Sequence, residues 1–587
     1  MRDGRRGAGV WLAALVLLLA AASSGVSTRQ PAGASPPSMP RRLRIALVPL
    51  DDRPVCLQYP QMLAGLAYAE VVTPPRELLG RYTTPGDTDG IARWLQTQDW
   101  STMDALIVSI DMLAYGGLVA SRVHDVDAPT ALARLRGVRE LHAAHPDLPI
   151  YGSSVIMRLA PTARDDNEAW REALARYAEL AGGTVTDAPA GHPYRAAPLT
   201  TSESRELDHL RRAIPEAARR DYERARARNR DVNLAAVSLV ADGVLRHLVV
   251  SQDDARPRGV HLADRRAVTS AASARDLVGR VGVQPGADEV AMLLLARAVL
   301  EARGLSPTVR TTFSSGQARS MVAPFEDRPL HETASFQLVT AGASEARMDD
   351  AADLDLFVFA SRHEAGAGAA FAAQATSTIA RGGRVIVADV DPKGDVQGAS
   401  TALTEPLLAA GAFPRLYGYA SWNTAGNTVG TALAHGVLAW AGAMLTTRCT
   451  SPAWGAVADA RATFMLHRLV NDFAYQGVLR PRLNRELRAA GRTPAWIRAH
   501  AIDIADGIRG ALKPRLASLA AAFSASAWEP PAPRSTDVAV RIAAPRDLAV
   551  SLPWDRTFEA AITFHLPTAS LSRPDRRLPS CAPARAR

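Results

Sequence analysis

Short, unbroken apolar runs that end in charged residues are the feature that most constrains this chain. Residues 44–50, 70–73, 105–110, 150–157 and 247–251 form such runs. Each has strand length and lacks the period-two alternation of a strand wetted on one face. Runs of that kind are buried on both faces, as in a parallel sheet covered by helices. Helix-like stretches at 130–144 and 203–229 lie between them. A second series begins with a helix over 289–303, followed by strands at 308–312, 336–340, 354–360, 384–389 and 416–421 and an alanine-rich helix at 367–380. The rhythm predicts an α/β fold. Its repeated βα units form either two doubly wound lobes around a cleft or an elaborated (β/α)8 barrel.

The ends of the chain read differently. Arg2, Arg5 and Arg6 precede an apolar run at 10–22 and small residues at 20–27, the order of a secretory signal over 1–28. The run is short for a membrane span, although an uncleaved anchor is the alternative. The expectation is an extracytoplasmic protein, periplasmic or secreted, with no membrane span in its mature form. A proline-rich linker at 29–42 leads to a first lobe at 43–284 and a second at 285–445, with residues 272–286 read as the joint. A helical segment at 446–528 and a small β appendage at 529–587 complete the chain, the appendage strands falling at 537–543 and 558–566.

The formal charge of +9 comes almost wholly from arginines interleaved with acids, Lys393 and Lys513 being the only lysines. No basic stripe with interleaved aromatics is present, so no nucleic-acid partner is expected. Cys56, Cys449 and Cys581 lack the spacing of a metal knuckle, while an oxidising compartment allows a Cys449–Cys581 disulfide.

Functional groups collect just past the predicted strands, where parallel α/β folds place their sites. Asp51, Asp52 and Arg53 follow the first strand; Asp111, Tyr115, Gly116, Gly117 and Arg122 follow the third; Arg158 follows the fourth. The glycine pair suits a close backbone approach to a ligand, and Tyr115 offers a ring and a hydroxyl to a polyol. Asp253 and Asp254 are adjacent carboxylates after the fifth strand. Like charges so close push one pKa up, dividing the pair into an acid and an ionised partner, the division that glycoside hydrolysis requires. Asp288 and Glu289 open a helix, where a macrodipole role is the plain alternative. Trp422, Asn423 and Asn427 combine a ring with amides, a pairing suited to a sugar face.

In order along the chain these segments resemble those of a bacterial family known only as a domain of unknown function. They are the PLDDRP opening at 49–54, the DMLAYGGLVASR segment at 111–122, QDD at 252–254, PGADE at 285–289, SWNT at 421–424 and PW-R-FE at 553–559. Cys56 departs from the asparagine expected there. The resemblance implies no activity.

From residue chemistry the expectation is a secreted glycoside hydrolase with Asp253 and Asp254 as catalytic carboxylates. Asp51, Asp52, Arg53, Asp111, Tyr115, Arg122, Arg158, Asp288, Glu289, Trp422, Asn423 and Asn427 would line the substrate cleft. No cofactor or resident metal is required, and the partner is a glycan or another polar small molecule. A carbohydrate-binding protein without turnover is one alternative. A metal-dependent hydrolase, with a divalent cation at Asp51, Asp52, Asp253 or Asp254, is the other.

Overall fold

The computed structural model describes residues 40–164, 166–182, 198–347, 350–446, 453–525 and 538–572. The predicted signal, most of the linker, Cys449 and Cys581 lie outside them.

Eleven parallel strands form two separate sheets rather than one closed barrel. The first holds β1 (Leu43–Val48), β2 (Ala69–Val72), β3 (Ala105–Ser109), β4 (Ile150–Ile156), β5 (His247–Gln252) and β6 (Val281–Pro285) in the order 2-1-3-4-5-6. The second holds β7 (Thr308–Phe313), β8 (Ser344–Glu345), β9 (Leu354–Phe359), β10 (Val385–Asp389) and β11 (Gly418–Ala420) in the order 11-10-9-7-8. The region read as a joint is therefore the end of helix His261–Ser273 followed by β6, the edge strand of the first sheet.

Alternate residues of one strand enter different cores, as the pleat requires. Ile45 and Leu47 face one core, Ala46 and Val48 the opposite one. The first of these cores also takes Leu354, Leu356 and Val358 of β9, so both sheets share one apolar interior. Helices Val290–Arg303 and Ala425–Thr446 pack against each other within it. The second is the one described helix long and apolar enough to cross a membrane, and it is buried here.

Several helices differ from expectation. Residues 336–340 belong to helix Leu330–Thr340, not to a strand. Its Gln337 is fully enclosed while its Val339 is exposed, so polarity does not track burial and the helical periodicity is masked. The long stretch at 203–229 divides into Thr201–Ala213 and Glu216–Ala241, because Pro215 has no N–H to continue a helix and sits at the start of the second. The stretch at 130–144 likewise divides into Ala128–Arg134 and Arg136–Ala144. C-terminal to the second sheet, helix Ala453–Arg468 widens into a π-helical segment, Leu469–Leu479. Two small antiparallel pairs follow, β12 (Val538–Ile542) with β15 (Thr568–Ser572) and β13 (Arg546–Ser551) with β14 (Ala561–His565).

Candidate functional site

The C-terminal ends of both sheets open onto one cavity of about 280 Å³. The first sheet supplies Arg53 after β1, Arg122 after β3, Arg158 after β4, Asp253 and Asp254 after β5, and Asp288 after β6. From the second sheet come Phe325, Gln397 and Asn423, and the C-terminal arm adds Trp554, Arg556 and Phe558. Backbone strain marks the same place. Of the ten described non-glycine residues with positive φ, Tyr82, Asp254, Phe325, Gln397 and Asn423 all line this cavity. Such conformations persist only where surrounding structure enforces them, and they concentrate at functional sites.

Arg53 organises one end. Its guanidinium donates to both oxygens of Asp288, at 2.9 and 2.6 Å, and also to Asp51 at 2.7 Å. The Trp554 ring lies under it at 4.5 Å, and the indole N–H of Trp554 donates to Asp52 at 2.7 Å. One cation thus bonds to two buried carboxylates and has a third, Glu559, at 3.6 Å. Burial, with smaller contributions from Asp51 and Asp253, outweighs Arg53 and lifts the Asp288 pKa to about 6. The turn that places Asp288 depends on Gly286 at φ +103°, where a Cβ would strike the Glu289 carboxyl.

Three guanidinium groups mark the other end. Arg122 donates to Asp253 at 2.5 Å and to Thr162 at 2.9 Å, and Arg158 donates to Asp254 at 2.7 Å. Arg171, in the first turn of helix Arg171–Ala181, also lines the cavity. The loop carrying Arg122 is clamped from behind by Arg228 and Asn229, both donating to the Ser121 carbonyl. Each of the adjacent carboxylates therefore sits on its own arginine. Asp253 also lies near enough to Asp288 to add a small upward contribution to its pKa.

The arm crossing the cavity is held at several points. Arg81 donates to the Pro553 carbonyl, Tyr475 to Thr557 and Gln476 to Phe558. Tyr475 and Gln476 belong to the π-helical segment, whose Asp472 also accepts the Ser421 N–H after β11. That segment thus joins the arm to the second sheet.

A family model described as protein of unknown function (DUF4127) matches residues 45–563. The chain belongs to that family. Comparison with curated proteins and with solved structures returns no significant match. In this DUF4127 chain, seven of the expected site residues line the cavity: Arg53, Arg122, Arg158, Asp253, Asp254, Asp288 and Asn423. Four more lie directly behind it. Asp51 and Asp52 hold Arg53 and Trp554, while Glu289 accepts from Asn427 at 2.7 Å and Asn427 in turn accepts from Asn423 at 2.6 Å. Burial lifts the Glu289 carboxyl to about 7.

Three expected residues are not among those lining the cavity. Asp111 is buried and accepts the Val155 N–H at 2.9 Å, tying the turn after β3 to β4. Tyr115 is covered by Arg228 at 4.2 Å. Trp422 lies in the shared core, its N–H on Thr431 and its edge against Tyr59. The glycine pair packs against backbone, with Gly116 accepting the Gly86 N–H and Gly117 close to the Leu50 carbonyl. Residues the sequence reading did not assign to the cavity include Tyr82, Arg171, Phe325, Gln397 and Trp554. The tryptophan stands in the late motif, and nothing local to it signals a contact with Asp52.

The carboxylates suggested for a divalent cation are already engaged by Arg53, Arg76, Arg122 and Arg158. Among the described residues, His363, Asp391 and Asp395 have ligand-type atoms within 4.8 Å of one another. Asp391 there accepts the N–H groups of Lys393, Val396 and Gln397, which fixes the loop carrying Gln397.

Proposed function

We propose that this protein is an exported hydrolase of glycosidic bonds, with Asp288 as the proton donor and Asp253 as its partner carboxyl group. The observation that carries the reading is the meeting of these two carboxyl groups in one cavity walled by Tyr82, Trp554 and Phe558. Paired carboxyls across a scissile bond are what glycoside hydrolysis uses, and aromatic faces pack on sugar rings. Asp288 has the proton affinity of a donor near pH 6 because burial outweighs the guanidinium that it shares with Asp51. Asp253 is oriented by Arg122. Asn423 reaches both Asp288, at 3.5 Å, and Asn427, and so orients the donor. Asp254, at the partly exposed edge, positions Arg158.

A panel of aryl glycosides tests the reading. The parent protein should turn over at least one member, with Asp253→Asn and Asp288→Asn each losing on the order of 10²–10⁴-fold in rate. Absence of turnover across the panel, or full activity in both variants, overturns it.

A further inference from the structure

The cavity is electrically lopsided. At one end Arg53 and Arg556, both on the Trp554 ring, face Asp51, Asp288 and Glu559; at the other Arg122, Arg158 and Arg171 face Asp253 and Asp254. Arg171 has no carboxylate partner among the described residues, and it lines the cavity beside Arg158, Thr162 and Ala163, which come from the loop that leads into its helix. Arg158 spends its Nε on the Ala160 carbonyl and one terminal nitrogen on Asp254, leaving the other without a partner among the described residues. Arg122 and Arg158 repel each other, the Arg158 charge being one reason the Arg122 pKa is lowered, after burial, and Arg171 adds a third cation to the same cavity. A bound anion relieves that repulsion, and a planar fork suits the two oxygens of a carboxylate or sulfate.

We infer that the cavity takes a saccharide bearing an oxyanion, a uronic acid carboxylate or an O-sulfate, with that group lodged between Arg158 and Arg171. The carboxylate-rich end around Asp288 then receives hydroxyl donors. This rests on the glycan reading of the site but concerns recognition, and binding tests it without turnover.

Calorimetry on the intact protein compares an oligogalacturonate, an O-sulfated oligosaccharide and a neutral oligosaccharide of equal length. The expected result is at least ~10-fold tighter binding of one anionic ligand over the neutral one. Arg171→Gln should bring that ratio towards one, and Arg171→Lys, which keeps the charge but loses the fork, should retain only part of it. The better anionic ligand distinguishes carboxylate from sulfate. Equal or tighter binding of the neutral ligand overturns the inference, as does an unchanged preference in an Arg171→Gln protein that melts like the parent. Anion-selective binding without hydrolysis would sink the hydrolase reading and leave this one standing.

Discussion

Asp288 is buried and shares Arg53 with Asp51, so it keeps its proton up to about pH 6. A proton donor works only while protonated, so kcat/KM should fall about tenfold per pH unit above 6. Rate profiles on two glycosides would check this. The fall should be steep for a poor leaving group and shallow for a nitrophenolate, which needs no proton, and Asp288→Asn should spare the second substrate far more than the first. A flat profile from pH 5 to 8 on the poor leaving group would remove Asp288 from the role. At this scale the sequence was partly legible. A charged residue past a buried strand must be paired or solvated, which singled out both Asp253 and Asp111. It could not separate them, because one meets a cavity and the other the Val155 N–H of a neighbouring strand.

Strands were the most legible elements, since a run buried on both faces must be apolar throughout. The same logic misled at 336–340, where a helix encloses Gln337 and exposes Val339, so that polarity along the segment does not track burial. The C-terminal arm was the least legible, for its partners lie hundreds of residues away, as Trp554 with Asp52 shows. Two substitutions separate the arm's roles. Trp554→Phe keeps a ring beneath Arg53 but removes the N–H that satisfies buried Asp52, so stability should fall by about 1–3 kcal/mol with KM little changed. Trp554→Ala also removes the wall, and KM should rise on the order of tenfold with a smaller change in kcat. Denaturant melts and steady-state kinetics measure both. Equal KM values for the two variants would show that the ring forms no part of the binding wall.

Across the whole molecule, two sets of buried groups oppose one another. Burial lifts Asp111, Glu289 and Asp472 to about 7, and it pushes His247, His261 and His435 down to about 3. The folded protein therefore binds extra protons at the carboxyls between about pH 4 and 7, so their contribution is present at low pH and lost as pH rises through 7. The histidines work in reverse: their contribution is present above about 6.5 and lost as pH falls towards 3. Between pH 8 and 6.5 the carboxyls dominate, because histidines in the unfolded chain take up protons only from about 6.5 downward. Below that the two sets largely cancel. The melting temperature should rise by about one or two degrees from pH 8 to 6.5 and then stay level to about pH 5. Asp111→Asn mimics the protonated carboxyl while leaving an acceptor for Val155, so it should shrink the rise without lowering the plateau. Asp111→Ala strands that N–H and should lower the whole curve by about 1–3 kcal/mol of stability. Calorimetric melts at half-unit pH intervals follow all three proteins, and a parent curve that falls between pH 8 and 6.5 would mean that the buried carboxyls are not the controlling set.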